Sequence, residues 1–280
     1  MSNHANFTGS VPEHYDRDLG PALFVGYAAD LARRVAAHNP TQVLETAAGT
    51  GFVTRRLRDL LPAGTCLTAT DINPPMLDMA RTKFQPGEQV VFQPADASAL
   101  PFPDGTFDVV ACQFGVMFFP DKAQSYREAH RVLAPGGRYL FDVWDSHKHN
   151  PFGRIAHGLM QKLFPSDPPQ FYRVPFGDHE IDPIKEALIE TGFTDIAIAV
   201  VAREAEVASL AAFVHGLVYG NPLAEQIRAR GSLHPDRVVD ALIEALREEV
   251  GADPGRMPIQ AIVFEASKPG QGRSRQAPGG

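Results

Sequence analysis

Residues 44–57, LETAAGTGFVTRRL, decide the fold of this chain. The first two residues end the short run TQVLE, which is typical of a buried β-strand. Small residues and the glycines at 49 and 51 follow at once, and glycine permits the left-handed backbone that a sharp turn needs. The run FVTRRLRDLL then predicts a helix that ends before Pro62. The stretch therefore predicts a strand, a tight turn and a helix in direct succession.

The rest of the chain repeats this alternation of strands and helices. The other strand-like runs are TCLTATD (65–71), EQVVFQPAD (88–96), FDVVACQFG (107–115), GGRYLFDVWD (136–145), FTDIAIAVVA (193–202) and PIQAIVFEAS (258–267). Strands that alternate with helices of about 10–15 residues indicate βαβ units, and right-handed crossovers place the helices on both faces of a parallel sheet. We therefore predict an α/β fold with a seven-stranded, mostly parallel sheet.

Composition excludes several classes of function. The net charge of −7 argues against nucleic-acid binding, because phosphate backbones require a basic surface. No apolar run approaches the length of a membrane span, and the first residues lack the apolar core of a signal peptide, so we expect a cytoplasmic protein without a membrane partner. Cys66 and Cys112 lie in strand-like runs and are predicted to be buried thiols.

Three predicted strands end in residues that suit a cofactor. The first ends at Glu45 and its glycine turn, the second at Asp71, which follows Gly51 by 20 residues, and the third at Asp96. Ligands of open α/β sheets bind beyond the carboxyl ends of the strands. A carboxylate at the second strand end can accept hydrogen bonds from both hydroxyls of a ribose.

A nicotinamide-dependent oxidoreductase is the competing interpretation of this pattern. Its dinucleotide fingerprint needs a third glycine for the pyrophosphate, but Phe52, Val53 and Thr54 follow Gly51 here. The negative charge of Glu45 would also repel a pyrophosphate, whereas it suits an ammonium group. Charge therefore favours a cationic ligand.

Four motifs in order resemble the class I S-adenosylmethionine-dependent methyltransferases, especially the small-molecule branch similar to the enzymes of ubiquinone and menaquinone biosynthesis. They are LETAAGTGFVTRRL (44–57), TATDINPPMLDMA (68–80), VVFQPADASALPFPDGTFDVV (90–110) and REAHRVLAPGGRYLFDVW (127–144). The resemblance covers residues 41–145 and implies a Rossmann-like fold with S-adenosylmethionine as cofactor. It implies that the turn after Glu45 holds the methionine part, that Asp71 binds the ribose, and that Ile72, Met76, Asp96 and Ala97 surround the adenine. Ala47 departs from the family's first glycine.

The residues expected at the cofactor are Tyr15, Glu45, Thr46, Ala47, Gly49, Gly51, Asp71, Ile72, Met76, Asp96, Ala97 and Gln113. The residues expected at the acceptor are Phe24, Phe114, Trp144, Phe152, Phe171, Phe213 and Tyr219. This set is aromatic, which favours a small, flat, apolar or aromatic acceptor methylated at oxygen, nitrogen or carbon. A general base is not identified, and the candidates are His147, His157, His215 and Tyr219. The pair His147 and His149 has no carboxylate partner, so no metal is predicted.

We predict one methyltransferase domain over residues 1–268 and a flexible tail over 269–280. Within it, residues 1–40 form an N-terminal cap and helix, 41–145 the cofactor-binding core, and 146–180 and 205–255 helical lid insertions. The alternative function is a non-catalytic S-adenosylmethionine-binding or scaffold protein of the same fold, and a homodimer is a further option.

Overall fold

A seven-stranded sheet forms the centre of the computed structural model, which describes residues 7–270; the predicted tail lies outside this range except for its first two residues. The strand order is β3-β2-β1-β4-β5-β7-β6. The strands are β1 (Gln42–Glu45), β2 (Cys66–Asp71), β3 (Val90–Pro94), β4 (Phe107–Gln113), β5 (Leu133–Trp144), β6 (Thr194–Val207) and β7 (Gly255–Ser267). The first five are parallel, and β7 is antiparallel to both of its neighbours. The prediction of a mostly parallel, Rossmann-like sheet is confirmed.

Helices cover both faces of this sheet. They are α1 (Val11–His14), α2 (Val25–Ala36), α3 (Phe52–Leu60), α4 (Pro74–Arg81), α5 (Lys122–Val132), α6 (Pro151–Leu163), α7 (Ile181–Thr191), α8 (Leu210–Tyr219), α9 (Leu223–Arg230) and α10 (Pro235–Val250). Successive residues of β4 point to opposite faces. Val109 belongs to the core that contains Leu31 of α2, whereas Val110 belongs to the core that contains Tyr126 of α5.

The N-terminal region, predicted as a cap and helix over residues 1–40, is helical from Val11 onward within the described residues. A π-helical segment, Tyr15–Phe24, joins α1 to α2 and contains Pro21, which has no amide hydrogen to donate. This segment covers the carboxyl ends of the parallel strands. Helix α8 packs closely against it, since a side chain at Gly216 would lie 2.7 Å from Cβ of Asp18. Residues from two distant parts of the chain therefore meet above the sheet.

Strands β6 and β7 are longer than predicted. Their antiparallel ladder extends to Val207 and Gly255, so residues 205–207, assigned to the second lid insertion, belong to β6. Alternating charges hid this part of the strand in the sequence. In the structure Arg256 pairs across the ladder with Glu204 at 3.0 Å and with Glu206 at 3.2 Å, and such cross-strand pairs favour strand pairing.

The two cysteines differ in environment. Cys112 is buried in β4, as predicted, but the prediction for Cys66 is wrong, because this residue begins β2 at the exposed end of the strand. Within residues 7–270, the helices are too short or too polar to span a bilayer.

Candidate cofactor and acceptor site

A cavity of about 400 Å³ lies at the carboxyl ends of β1, β2 and β4, within the usual size range of small-molecule pockets. Its roof comes from the π-helical segment, the segment after β5 and helix α8. Of the residues predicted at the cofactor, those that line it are Tyr15, Ala47, Gly49, Asp71, Ile72, Met76, Asp96, Ala97 and Gln113. Of those predicted at the acceptor, the lining residues are Phe24, Phe114, Trp144, Phe152 and Phe171.

The turn after β1 is held in place by backbone hydrogen bonds. The amide of Thr46 donates to Ala111 O of β4 at 2.9 Å, and the amide of Ala48 donates to Thr70 O of β2 at 2.8 Å. Gly51 has a φ of 84° and begins α3 so close to α4 that a side chain would lie 2.8 Å from Cβ of Ala80. The glycine there is required by both backbone and packing.

Ala47 takes the position of the family glycine with a φ of +51°. A left-handed backbone strains any residue with a Cβ atom. The methyl group of Ala47 fits because residue 115 is a glycine. A Cβ atom at residue 115 would lie 2.5 Å from Cβ of Ala47 and 2.7 Å from Sγ of Cys112. The absence of a side chain at Gly115 therefore compensates for the alanine at 47.

Asp71 is the buried carboxylate of the cavity. Its Oδ2 accepts the Gly49 amide at 2.9 Å, and its Oδ1 accepts the Asn73 amide at 2.8 Å. Burial raises the pKa of Asp71, while these hydrogen bonds oppose the rise by stabilising the charged form. The carboxylate thus ties the turn after β1 to the end of β2.

Asp96 is the second carboxylate of the cavity and lies near the end of β3. Its Oδ1 accepts the amide of Ser98 at 2.8 Å and the hydroxyl of Ser98 at 2.6 Å. This local turn fixes the loop after β3. Asp96 itself is exposed, in contrast to Asp71.

Three residues predicted at the cofactor lie behind the cavity wall instead: Glu45, Thr46 and Gly51. Glu45 is 1% exposed, and its Oε2 accepts the hydroxyl of Thr54 at 2.6 Å. Burial raises the pKa of Glu45 to about 8. In the described structure the partner of Glu45 is therefore Thr54, and a contact of Glu45 with a ligand ammonium group stays a prediction. The side chain turns from the strand end toward α3.

The acceptor end of the cavity is aromatic. Phe114 and Trp144 stack with their ring centroids 4.0 Å apart and their planes at 6°. Phe118 and Phe171 face each other at 6.1 Å. The lining residues that the sequence analysis missed include Phe7, Asn73, Met117, Phe118 and Phe119. The run Met117–Phe119 directly after β4 was the available signal, since it follows a strand end of the predicted sheet.

Phe213 and Tyr219 do not line the cavity, although both lie on α8. Phe213 is buried outside the cavity wall, with its ring 6.3 Å from that of Phe152. The hydroxyl of Tyr219 donates to Asp236 of α10. Leu217, between them, is the residue of α8 that reaches the cavity.

The three candidate histidines also lie off the cavity wall. His147 Nε2 lies 3.0 Å from Tyr172 O, and the ring of His157 stacks at 5.4 Å on that of His147. Burial lowers the pKa of both. His215 faces Asp18 at 3.5 Å on the outer side of α8.

The titratable side chains that line the cavity within residues 7–270 are Tyr15, Asp71, Asp96 and Tyr172. Burial raises the pKa of both tyrosine hydroxyls well above the ordinary value, so both are neutral at physiological pH. Tyr172 donates its hydroxyl hydrogen to Leu217 O at 2.8 Å. The charge of the cavity wall is therefore negative and concentrated at the strand ends.

Comparison with known proteins identifies the class. Residues 44–141 match the family described as "Methyltransferase domain". The demethylmenaquinone methyltransferase of Thermus thermophilus is 40% identical over 139 residues, which are 49% of this chain and 61% of that protein. The solved phosphoethanolamine N-methyltransferase 2 of Haemonchus contortus, in complex with S-adenosyl-L-methionine, has a TM-score of 0.59 at 17% identity and covers 94% of this chain and 58% of its own, which supports the fold.

The chain thus contains a class I, S-adenosylmethionine-dependent methyltransferase domain, as the four motifs indicated, and the nicotinamide alternative is set aside. Within this class, the matched region is similar to methyltransferases of the ubiquinone/menaquinone type. The ubiquinone/menaquinone biosynthesis C-methyltransferase UbiE of Hahella chejuensis is 44% identical over 102 residues, which are 35% of this chain and 41% of that protein. The chain covers less than two thirds of either curated relative.

Proposed function

We propose that the protein transfers the methyl group of S-adenosylmethionine to a ring atom of a small, flat, apolar or aromatic acceptor of the quinone type. One observation carries the proposal: a single cavity has carboxylates at one end and stacked aromatic rings at the other. The names of the two curated relatives, both methyltransferases of quinone biosynthesis, support a ring carbon as the methylated atom.

The carboxylate end fits the cofactor. When bound there, S-adenosylmethionine supplies an activated methyl group on a positively charged sulfur. Asp71 would accept the ribose hydroxyls, because an ionised carboxylate keeps acceptor capacity beyond the hydrogen bonds from Gly49 and Asn73. Ile72 and Met76 would pack against the base, and Asp96 would accept from its amino group. The negative wall also matches the charge of the sulfonium.

The aromatic end would hold the acceptor and exclude water. Phe114, Trp144 and Phe171 offer flat surfaces to a ring, and such positioning supplies much of the rate enhancement in a displacement reaction. The lining residues within the described range include no histidine, cysteine, lysine or glutamate. We therefore propose that an electron-rich ring carbon takes the methyl group, that the sulfonium leaves as the neutral thioether S-adenosylhomocysteine, and that the ring carbon then releases its proton to solvent. Orientation, rather than a side-chain base, is the main contribution of the protein.

Calorimetric titration with S-adenosylmethionine and S-adenosylhomocysteine tests the cofactor end. Asp71→Ala should weaken both affinities at least about tenfold, since a hydrogen bond to a charged group contributes about 1.5–3 kcal/mol. Asp78→Ala is the matched control, because this exposed carboxylate on α4 pairs with Arg81 away from the cavity. Unchanged affinity of Asp71→Ala would refute the assignment.

Turnover with demethylated naphthoquinols and radiolabelled methyl donor tests the acceptor end. We expect label in the ring of the product. Tight cofactor binding without transfer to any ring in a broad acceptor panel would instead favour a non-catalytic cofactor-binding protein.

A further inference from the structure

A cluster of three potential metal ligands lies outside the cavity, where the N-terminal region meets α8. It consists of His14 of α1, Asp18 of the π-helical segment and His215 of α8. One ligand atom from each lies within 4.8 Å of the other two. His215 is distant in sequence from the other two residues, so only the fold brings it to them.

The distances in the cluster are long for hydrogen bonds. His14 Nδ1 lies 3.4 Å from Asp18 Oδ2, and His215 Nδ1 lies 3.5 Å from the same oxygen. Hydrogen bonds from nitrogen to oxygen fall between about 2.7 and 3.2 Å. His215 Nδ1 is shielded from solvent and makes no hydrogen bond of acceptable geometry. His14 Nδ1 also lies 3.1 Å from Nη2 of Arg17, so both imidazoles face one carboxylate oxygen but only that of His215 lacks a hydrogen-bond partner within the described residues.

The same distances fit two edges of a tetrahedral metal site. Zinc binds imidazole nitrogen and carboxylate oxygen at about 2.0–2.2 Å, which places neighbouring ligand atoms about 3.4 Å apart. His14 and Asp18 are four residues apart along one helical region and so project from the same side. Two imidazoles and one carboxylate are a common ligand set for zinc, with a fourth position left for water.

Burial of Asp18 adds a reason for a cation at this point. Its side chain is 3% exposed, and a buried carboxylate needs a positive partner. Arg17 fills this role in the structure, at 2.6 Å to Oδ1 and 2.8 Å to Oδ2. The Arg17 side chain is 66% exposed, so a metal ion would displace its guanidinium from Oδ2 of Asp18 and from Nδ1 of His14 and leave it in solvent.

We infer that His14, Asp18 and His215 form a binding site for a divalent transition-metal ion, of which Zn²⁺ is the best match. The ion joins the π-helical segment to α8, and both elements contribute to the wall of the cavity, through Tyr15 and Leu217. It acts as a structural clamp on the roof of the cavity and takes no part in chemistry there.

The test is titration of the chelator-treated full chain with ZnCl₂ and CoCl₂. We expect one equivalent of Zn²⁺ to bind and to raise the Tm by a few degrees, because a ligand that binds only the folded state stabilises it. Bound Co²⁺ should show the intense visible absorption of tetrahedral coordination. His14→Ala and His215→Ala should each weaken binding by more than about 100-fold, since loss of a residue that only hydrogen-bonds a metal ligand already costs about 10–100-fold.

His38→Ala is the matched control. His38 also faces a carboxylate, that of Glu265 at 3.0 Å, but this pair belongs to no group of three potential metal ligands among the described residues. This variant should leave binding unchanged. Arg17→Ala should strengthen binding, because it removes the cation that competes for Asp18. Absence of stoichiometric binding, or binding that His14→Ala and His215→Ala leave intact, would overturn the inference. The far-ultraviolet circular dichroism of each variant distinguishes loss of the site from loss of folding.

Discussion

Substitution Glu45→Gln should change how the stability of the protein depends on pH. Glu45 is almost fully buried at the end of β1, and burial raises the pKa of its carboxyl from 4.5 to about 8. The hydrogen bond from Thr54 opposes this shift, and the negative charge of Asp71 adds to it. Glutamine keeps the shape and can still accept the Thr54 hydroxyl, but it does not titrate.

The direction in which pH changes the stability follows from the protons that Glu45 binds in the folded and unfolded states. Between about pH 4.5 and pH 8 the folded protein keeps a proton on Glu45 that the unfolded chain has released. The contribution of this group to stability is therefore complete below about pH 4.5, falls as the pH rises, and stays constant above about pH 8. A shift of this size corresponds to at most about 5 kcal/mol.

Urea unfolding of the wild type and Glu45→Gln at pH 5, 7 and 9 measures the effect. The difference in free energy of unfolding should be small at pH 5 and should favour the variant by several kcal/mol at pH 9. Comparison at each pH cancels the contribution of Asp142, whose pKa burial also raises to about 8. Glu190→Gln, an exposed change on α7, is the control. The reasoning would be refuted if the stability difference between Glu45→Gln and the wild type changed with pH as little as that of the control.

Two further predictions concern the cavity wall. Gly115→Ala should lower the free energy of unfolding, measured by urea, by about 1–3 kcal/mol, because the new methyl group meets Ala47 Cβ and Cys112 Sγ. Adding Ala47→Gly to this variant should restore part of the loss. If the double variant loses the sum of the two single effects, the contact between residues 47 and 115 is contradicted. Phe118→Ala should raise the acceptor KM about tenfold or more in steady-state assays and the calorimetric Kd for S-adenosylhomocysteine by much less, since the Phe118 ring stacks on Phe171 and reaches Asn73 beside Asp71 only through Phe7. An equal loss of both affinities would show that the two ends of the cavity are not separate.

The strand ends were predictable from the sequence, but the direction of each side chain was not. Asp71 and Asp96 lie on the cavity because the order of strands and glycines places both carboxylates beyond the sheet. Glu45 has the same apparent position in the sequence. Its side chain points to α3. Successive residues of a strand face opposite sides of the sheet, and the sequence of the turn that follows does not show which side Glu45 faces.

The roof of the cavity was less predictable than its floor. Helix α8 is apolar on nearly every side, so its sequence contains no polar face that marks which residues turn inward. Leu217 reaches the cavity, whereas Phe213 is buried near Phe152 and Tyr219 forms a hydrogen bond with Asp236 of α10. Tertiary packing, and not helical periodicity, decides this choice.

The stacked pair of Phe114 and Trp144 has a practical consequence. The chain contains a single tryptophan, and its indole is 4% exposed on the wall of the aromatic end. The intrinsic fluorescence of the protein therefore reports on one known place, where an arriving ring would displace solvent or quench emission directly. Occupancy of this compartment can be followed in real time without a label or an engineered reporter.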